Sequence, residues 1–269
     1  WISIVCAAAL LPAARAQVAD AKRGQELIQK SVQALGGDKF LTMEDRVEQG
    51  RAYSFYRDQI SGLSLAKIYT RYTTVAPDKT GEEVGQRERE AFDKQEDFCV
   101  MFNESGGWEI TWRGAKELEK DRLERYRQTT LHDVLYIFRQ RLHEPGMIFE
   151  YTGSDVFDNQ PVDIVNITDS KDRVEMVYLH QSTHLPVRME YSHINPQDHR
   201  PDKEVTLYSV YRDAGGGIQW PMQIRRDRNG DKVYQMFSES VSVNQDLTDD
   251  LFSLPTGNDN LVKKPKKKK

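Results

Sequence analysis

RVEMVYLHQSTHLPVRMEYSH, residues 173–193, is the stretch that decides the fold. Residues 173–180 and 186–193 alternate apolar and polar side chains with a period of two, the mark of a β-strand with one face turned to a core. In this reading Val174, Met176 and Tyr178 share the apolar face, as do Val187, Met189 and Tyr191. Arg173, Glu175, Arg188 and Glu190 lie opposite.

The same period continues on both sides. Residues 147–151, 161–168, 203–211, 218–225 and 233–243 read as further strands. Met147, Phe149 and Tyr151 share a face, as do Ile218, Trp220, Met222 and Ile224, and Val205, Leu207 and Tyr211. Asp158-Asn159, residues 169–172, Gly215-Gly216-Gly217 and Asn229-Gly230 supply turn chemistry between them. Towards the start, residues 47–60 and 63–74 form a long hairpin about Ser61-Gly62, followed by strands at 88–92, 98–103 and 108–112.

Two helices complete the pattern. Residues 20–35 place Leu27, Ile28, Val32 and Leu35 on one stripe, with Gly36-Gly37 as the stop. Residues 114–142 contain no Pro or internal Gly and read as one long helix, charged in its first half, with Leu131, Val134, Leu135, Phe138 and Leu142 on one face of its second. Eleven or twelve antiparallel strands with two helices make an α+β chain dominated by one sheet. A sheet this wide with one apolar face must curl over that face or pack helices on it.

The ends carry separate signals. Residues 1–16 read as the back part of a secretory signal peptide: an apolar run, a break at Pro12, and Ala14-Arg15-Ala16 before a cleavage point between Ala16 and Gln17. Val5 before Cys6 argues against lipid attachment there, and cleavage leaves Cys99 as the sole thiol, which excludes an internal disulfide. Residues 259–269 form a basic tail whose lysines, between 263 and 269, suit either solvent or anionic head groups of a membrane. Without the six tail lysines and Arg15 the chain holds 31 basic against 42 acidic residues, near −11, which argues against a nucleic-acid surface. The mean hydropathy is −0.71.

The succession of segments resembles the bacterial outer-membrane lipoprotein carrier and sorting family (LolA/LolB-like). The residues that carry the resemblance are Ala34-Leu35-Gly36-Gly37 with Phe40-Leu41 and Gly107-Trp108 before the long helix. Tyr178-Leu179-His180 with Thr183-His184-Leu185-Pro186, Trp220-Pro221, and Asp250-Leu251-Phe252-Ser253-Leu254-Pro255 complete the set. His180 stands where the family pattern usually has Asp. The resemblance implies a domain over residues 17–258: a single strongly curved antiparallel sheet, an incomplete half-open barrel, with helices across its apolar concave face. It also implies a periplasmic carrier that shelters lipid or lipoprotein acyl chains, with inner- or outer-membrane sorting proteins as further partners.

Residue chemistry offers little to an enzyme. There is no Gly-rich phosphate loop, nucleophile elbow, paired Cys or HExxH, and no cofactor is implied. His180, His184, His193 and His199 fall in a strand and in turns and read as solvated rather than metal-binding. Phe102, Trp108, Phe149, Tyr178, Met189 and Trp220 are the candidates for lining an apolar cavity; Trp108 and Trp220 are equally compatible with ordinary core. A non-catalytic envelope module with a filled interior is the alternative to a carrier.

Overall fold

The structure, a computed structural model, describes residues 10–96, 98–195 and 199–254. Residues 1–9 of the expected signal segment and the whole basic tail lie outside them. Helix α1 (Leu10–Leu35) starts ten residues before the expected Asp20, and the expected cleavage point falls within it. Its end is as expected: Gly36 and Gly37 take φ of 129° and 58°, and Gly37 N–H donates to Val32 O at 2.9 Å. Helix α2 (Asp38–Leu41) follows and buries Phe40.

Strands β1 (Asp45–Tyr56) and β2 (Gln59–Tyr72) form the long first hairpin. Its turn is Arg57-Asp58, both at positive φ, and not Ser61-Gly62. Two consecutive left-handed residues match the twist of the flanking strands, and the glycine sits instead at a register shift beside Ser54/Phe55. Next come β3 (Gln86–Phe92), β4 (Phe98–Asn103) and β5 (Gly106–Thr111).

The expected single helix over 114–142 is four elements. Gly114, at φ 129°, opens a short edge strand β6 (Gly114–Glu117). Helix α3 (Lys120–Leu131) follows, and the chain breaks at His132-Asp133. There the Asp133 carboxylate accepts from Leu135 N–H and Tyr136 N–H, capping helix α4 (Val134–Tyr136), which runs into a π-helical turn (Ile137–Arg141). Composition favoured a helix throughout; a mid-run capping residue divided it.

Seven strands follow among the described residues: β7 (Ile148–Phe157), β8 (Gln160–Thr168), β9 (Val174–His180), β10 (Pro186–Ile194), β11 (Pro201–Asp213), β12 (Gln219–Arg228) and β13 (Asp231–Val243). A 3-10 turn (Asp249–Phe252) lies beyond them. All thirteen strands form one antiparallel sheet in the order β6-β5-β4-β3-β2-β1-β13-β12-β11-β10-β9-β8-β7. It is an open sheet whose edges are β6 and β7. Every neighbour is a sequence neighbour except β1 and β13, which pair from Arg46↔Val243 to Ser54↔Tyr234.

The sheet is curled. Glu88 on β3 and Arg226 on β12 are four strand spacings apart, and the pairing Glu88–Thr70–Arg46–Val243 sets Glu88 nine residues along β13 from Tyr234, the partner of Arg226. Yet each perturbs the other electrostatically, so the strands bring them towards one another across the concave side.

Helices α1, α2 and α4 cover that concave face, but the phase expected for β9 and β11 is inverted. Glu175, Val177 and Leu179 point in, and Val174, Met176 and Tyr178 point out. On β11 the inward residues are Thr206 and Tyr208 rather than Val205 and Leu207. Beyond Val210, which takes φ 57°, Tyr211 also packs against the core. Both phases of β9 are apolar enough to pass for a core face. Glu175 misled the reading because its charge is buried against His132, at 2.5 Å between Oε1 and Nδ1.

Candidate functional site

The concave face divides into two halves of opposite character. The half formed by β8 to β10 and the first part of β12 is apolar: Val165, Ile167, Val177, Leu179, Met189, Trp220 and Met222 are all buried. Leu27, Ile28, Val32 and Leu35 of α1 lie on it, together with Phe40, Met43, Val134, Leu135, Ile137 and Phe138.

Helices α1 and α4 are fastened differently. The α4 segment is bolted by polar contacts on every side. Arg139 donates to Met43 O (2.8 and 3.1 Å), and Tyr136 Oη accepts from Gly85 N–H (2.6 Å). Asp133 accepts from Tyr208 Oη (2.9 Å). Arg141, fully buried, bonds Glu144 (2.8 Å), Asp169 (3.0 Å) and Leu131 O (2.5 Å). By contrast α1 rests on its apolar stripe, with Arg23 over the Tyr151 ring (3.6 Å) and near Asp163 (3.6 Å) at its rim. At its closest approach Gly24 meets the backbone of Phe149.

The other half, from β12 through β13, β1 and β2 to β3, is polar. Its floor is nearly without side chains: Gly50, Ala52 and Ser54 on β1 lie level with Ala66, Ser64 and Gly62 on β2. Along one side Arg46 contacts Glu48 (3.5 Å), donates to Thr70 Oγ1 (2.9 Å) and stacks on Trp220 (4.1 Å). Thr70 in turn donates to Glu88 (3.3 Å), which also accepts from Gln86 (3.2 Å). Burial first, then the neighbouring Glu90, pushes the Glu88 carboxyl up to about 8; burial likewise raises Glu90. Facing them is Arg226, which has a cation–π contact with Tyr234 (5.4 Å) and no hydrogen bond or ion pair among the described residues. Burial works to lower its pKa, but Asp133, Tyr234, Tyr208 and Glu88 outweigh it and the guanidinium stays charged. Helix α3 covers the far wall, where Tyr126 stacks flat on Phe102 at 3.6 Å.

The six residues expected to line a cavity are spread over the sheet. Met189, Trp220 and Phe149 meet in the apolar half. Phe102 is buried with Val100 and Leu118 under α3. Trp108 sits on the opposite face beside Cys99, Met101 and Ile110, under Leu254. Tyr178 is also on the convex face, next to Arg188 and Phe157. A pocket of about 400 Å³ lies elsewhere, beside α4, lined by Tyr72, Thr80, Tyr136, Arg139 and Gln140 among others. Sequence reading missed Arg46, Glu88, Glu90 and Arg226, because charge at an alternating position normally marks the solvent face. The histidines are dispersed: His180 Nδ1 accepts from Ser182 and Thr183 N–H, and His193 faces Glu204 at 3.6 Å. Among the described residues, no three His, Cys, Asp or Glu side chains are grouped to hold a metal ion.

No protein-family profile matches the chain, and no curated protein matches it either. Solved structures do match over nearly its whole length. A putative outer membrane lipoprotein-sorting protein domain from Vibrio parahaemolyticus is 13% identical, with a TM-score of 0.55 over 86% of this chain and 97% of that one. A DUF1329 family protein from Desulfovibrio piger is 15% identical, also at 0.55, over 87% and 97%. A LolA superfamily protein from Nitrosomonas europaea is 11% identical, at 0.52, over 86% and 97%. The chain therefore shares its open-sheet fold with solved structures of a LolA superfamily protein and a lipoprotein-sorting domain, the resemblance read in the sequence.

Proposed function

We propose that this protein is a non-catalytic carrier of the bacterial cell envelope that shelters lipid or lipoprotein acyl chains on the apolar half of its concave face. The observation that carries the reading is the unequal fastening of the covering helices. The four stripe residues of α1 are buried at about 1.5–3 kcal/mol each, roughly 6–12 kcal/mol together. An acyl chain of about 16 carbons gains roughly 10 kcal/mol on leaving water. Exchanging helix for chain is thus close to balanced, and the bolted α4 keeps the rest of the interior in place. The expected site residues Met189, Trp220 and Phe149 form the sheet side of that exchange, and export to the periplasm fits the signal-like start. An envelope sorting partner and contact of the lysine tail with anionic lipid belong to the same proposal.

The packed state of the apolar half favours a second reading, a structural or interaction module whose interior is permanently filled. Titration with a dansyl-labelled fatty acid separates the two. Saturable binding displaced by palmitate supports the carrier; no binding at any probe concentration below micelle formation sinks it.

A further inference from the structure

The polar half of the concave face has no structural rationale of its own. On the same side of the same sheet, β8 to β10 bury aliphatic side chains, whereas β12 and β3 present Arg226, Glu88 and Glu90. Arg226 is half-buried, and its Nε lies shielded from solvent without an acceptor, which is unfavourable for a charged group. Arg46 is 8% exposed and also keeps an unpartnered Nε. The wall and the floor fit together, since the row Met189–Thr206–Arg226–Tyr234–Ser54–Gly62 runs straight across six strands. It passes from the apolar core through the cation to side chains too small to fill the space above them. On β3 stand Glu88 and Glu90, level with Thr70 and Ile68 of β2, and burial disfavours the ionised form of both.

We infer that this trough is a head-group subsite for an amphiphile carrying both an acidic oxoanion and an ammonium group, the phosphoethanolamine pattern. Arg226 takes the oxoanion, and the Glu88–Glu90 pair takes the ammonium between Tyr126 and Tyr234. The position of Arg226, next to Ile224 and Met222 on β12, sets the head at the border of the apolar half, where the chains would begin. The inference deepens the carrier reading and rests on it for the source of the ligand. The same head chemistry also occurs in a free zwitterion.

The test uses the whole protein with short-chain phosphatidylethanolamine and phosphatidylglycerol below their micelle concentrations, and with glycerophosphoethanolamine, each by calorimetric titration. Phosphatidylethanolamine should bind at least about tenfold more tightly than phosphatidylglycerol. Arg226→Gln should weaken both about tenfold, without lowering the thermal midpoint, because Arg226 makes no hydrogen bond or ion pair among the described residues. Glu90→Gln should weaken phosphatidylethanolamine alone, and Arg226→Lys should restore part of the Arg226→Gln loss. Equal binding of the two lipids, or unchanged binding by Arg226→Gln, overturns the subsite. If the dansyl fatty acid binds while head groups are not distinguished, the carrier stands and the subsite falls. If glycerophosphoethanolamine binds and no acyl compound does, the subsite stands and the carrier falls.

Discussion

Replacing Gly24 with Ala should loosen α1 and raise, not lower, the affinity for an acyl probe. A Cβ at position 24 would sit 2.6 Å from Phe149 O, 2.8 Å from its carbonyl carbon and 2.9 Å from Glu150 N. Ordinary contact begins near 3.4 Å, and every atom met is β7 backbone, so no flexible side chain can yield. The helix must move outwards by several tenths of an ångström, for which overpacking of this kind costs about 1–3 kcal/mol. Against this stands a gain of about 1 kcal/mol in helix propensity on replacing Gly. Docking of α1 should therefore weaken by up to about 2 kcal/mol, while the helix itself becomes more stable. If the chain-binding state is the one with α1 displaced, the apparent Kd falls by the same free energy, up to about thirtyfold. Hydrogen exchange should show faster exchange in β7 and α1, and dansyl fatty-acid titration the tighter binding. A higher thermal midpoint with unchanged or weaker probe affinity would refute the exchange of helix for chain.

Two further outcomes concern the polar parts of the interior. Arg141→Ala leaves the buried carboxylates of Glu144 and Asp169 short of a cation and Leu131 O without its donor, so denaturant unfolding should show a loss of about 3–5 kcal/mol. Glu88 binds its proton more tightly folded than unfolded, so its contribution is full below about pH 4.5 and is lost as pH rises towards 8. Wild-type stability should accordingly fall across that window relative to Glu88→Gln, by at most about 1.4 kcal/mol per pH unit; parallel stability profiles for the two proteins would contradict the burial of that carboxyl.

The fold was legible because period two survives in a sheet wherever one face is buried, and because Gly36-Gly37, Asp158-Asn159 and Asn229-Gly230 mark their turns chemically. Expected elements failed where one residue outweighed a segment's composition. Asp133 capped a new helix inside a helix-favouring run, and Arg57-Asp58 supplied the left-handed pair that Ser61-Gly62 seemed to promise. The inward phase of β9 was unreadable for a different reason: its decisive partner, His132, is 43 residues away in sequence. The candidate site was harder still. Arg46, Glu88 and Arg226 are charged residues on the inner side of a curled sheet, and only curvature, which no local pattern encodes, turns them towards one another.

The pairing of β1 with β13 bears on how the chain acquires its structure. Strands β1 to β6 and β7 to β13 are two meanders whose local hairpins form from short loops, but their junction joins residues nearly 200 positions apart. The seam lies at the middle of the finished sheet, so an unfinished chain has two complete-looking halves, with β1 and β12 each presenting a bare row of backbone donors and acceptors. Closing a loop of that size is slow relative to hairpin formation, and exposed edges recruit the wrong strands in the meantime. Residues 231–243 act as a zipper that locks only when the end of the chain arrives. A chain ending before residue 231 should therefore not lose one strand gradually but fail to join its halves, aggregating through the edges that β13 would have covered.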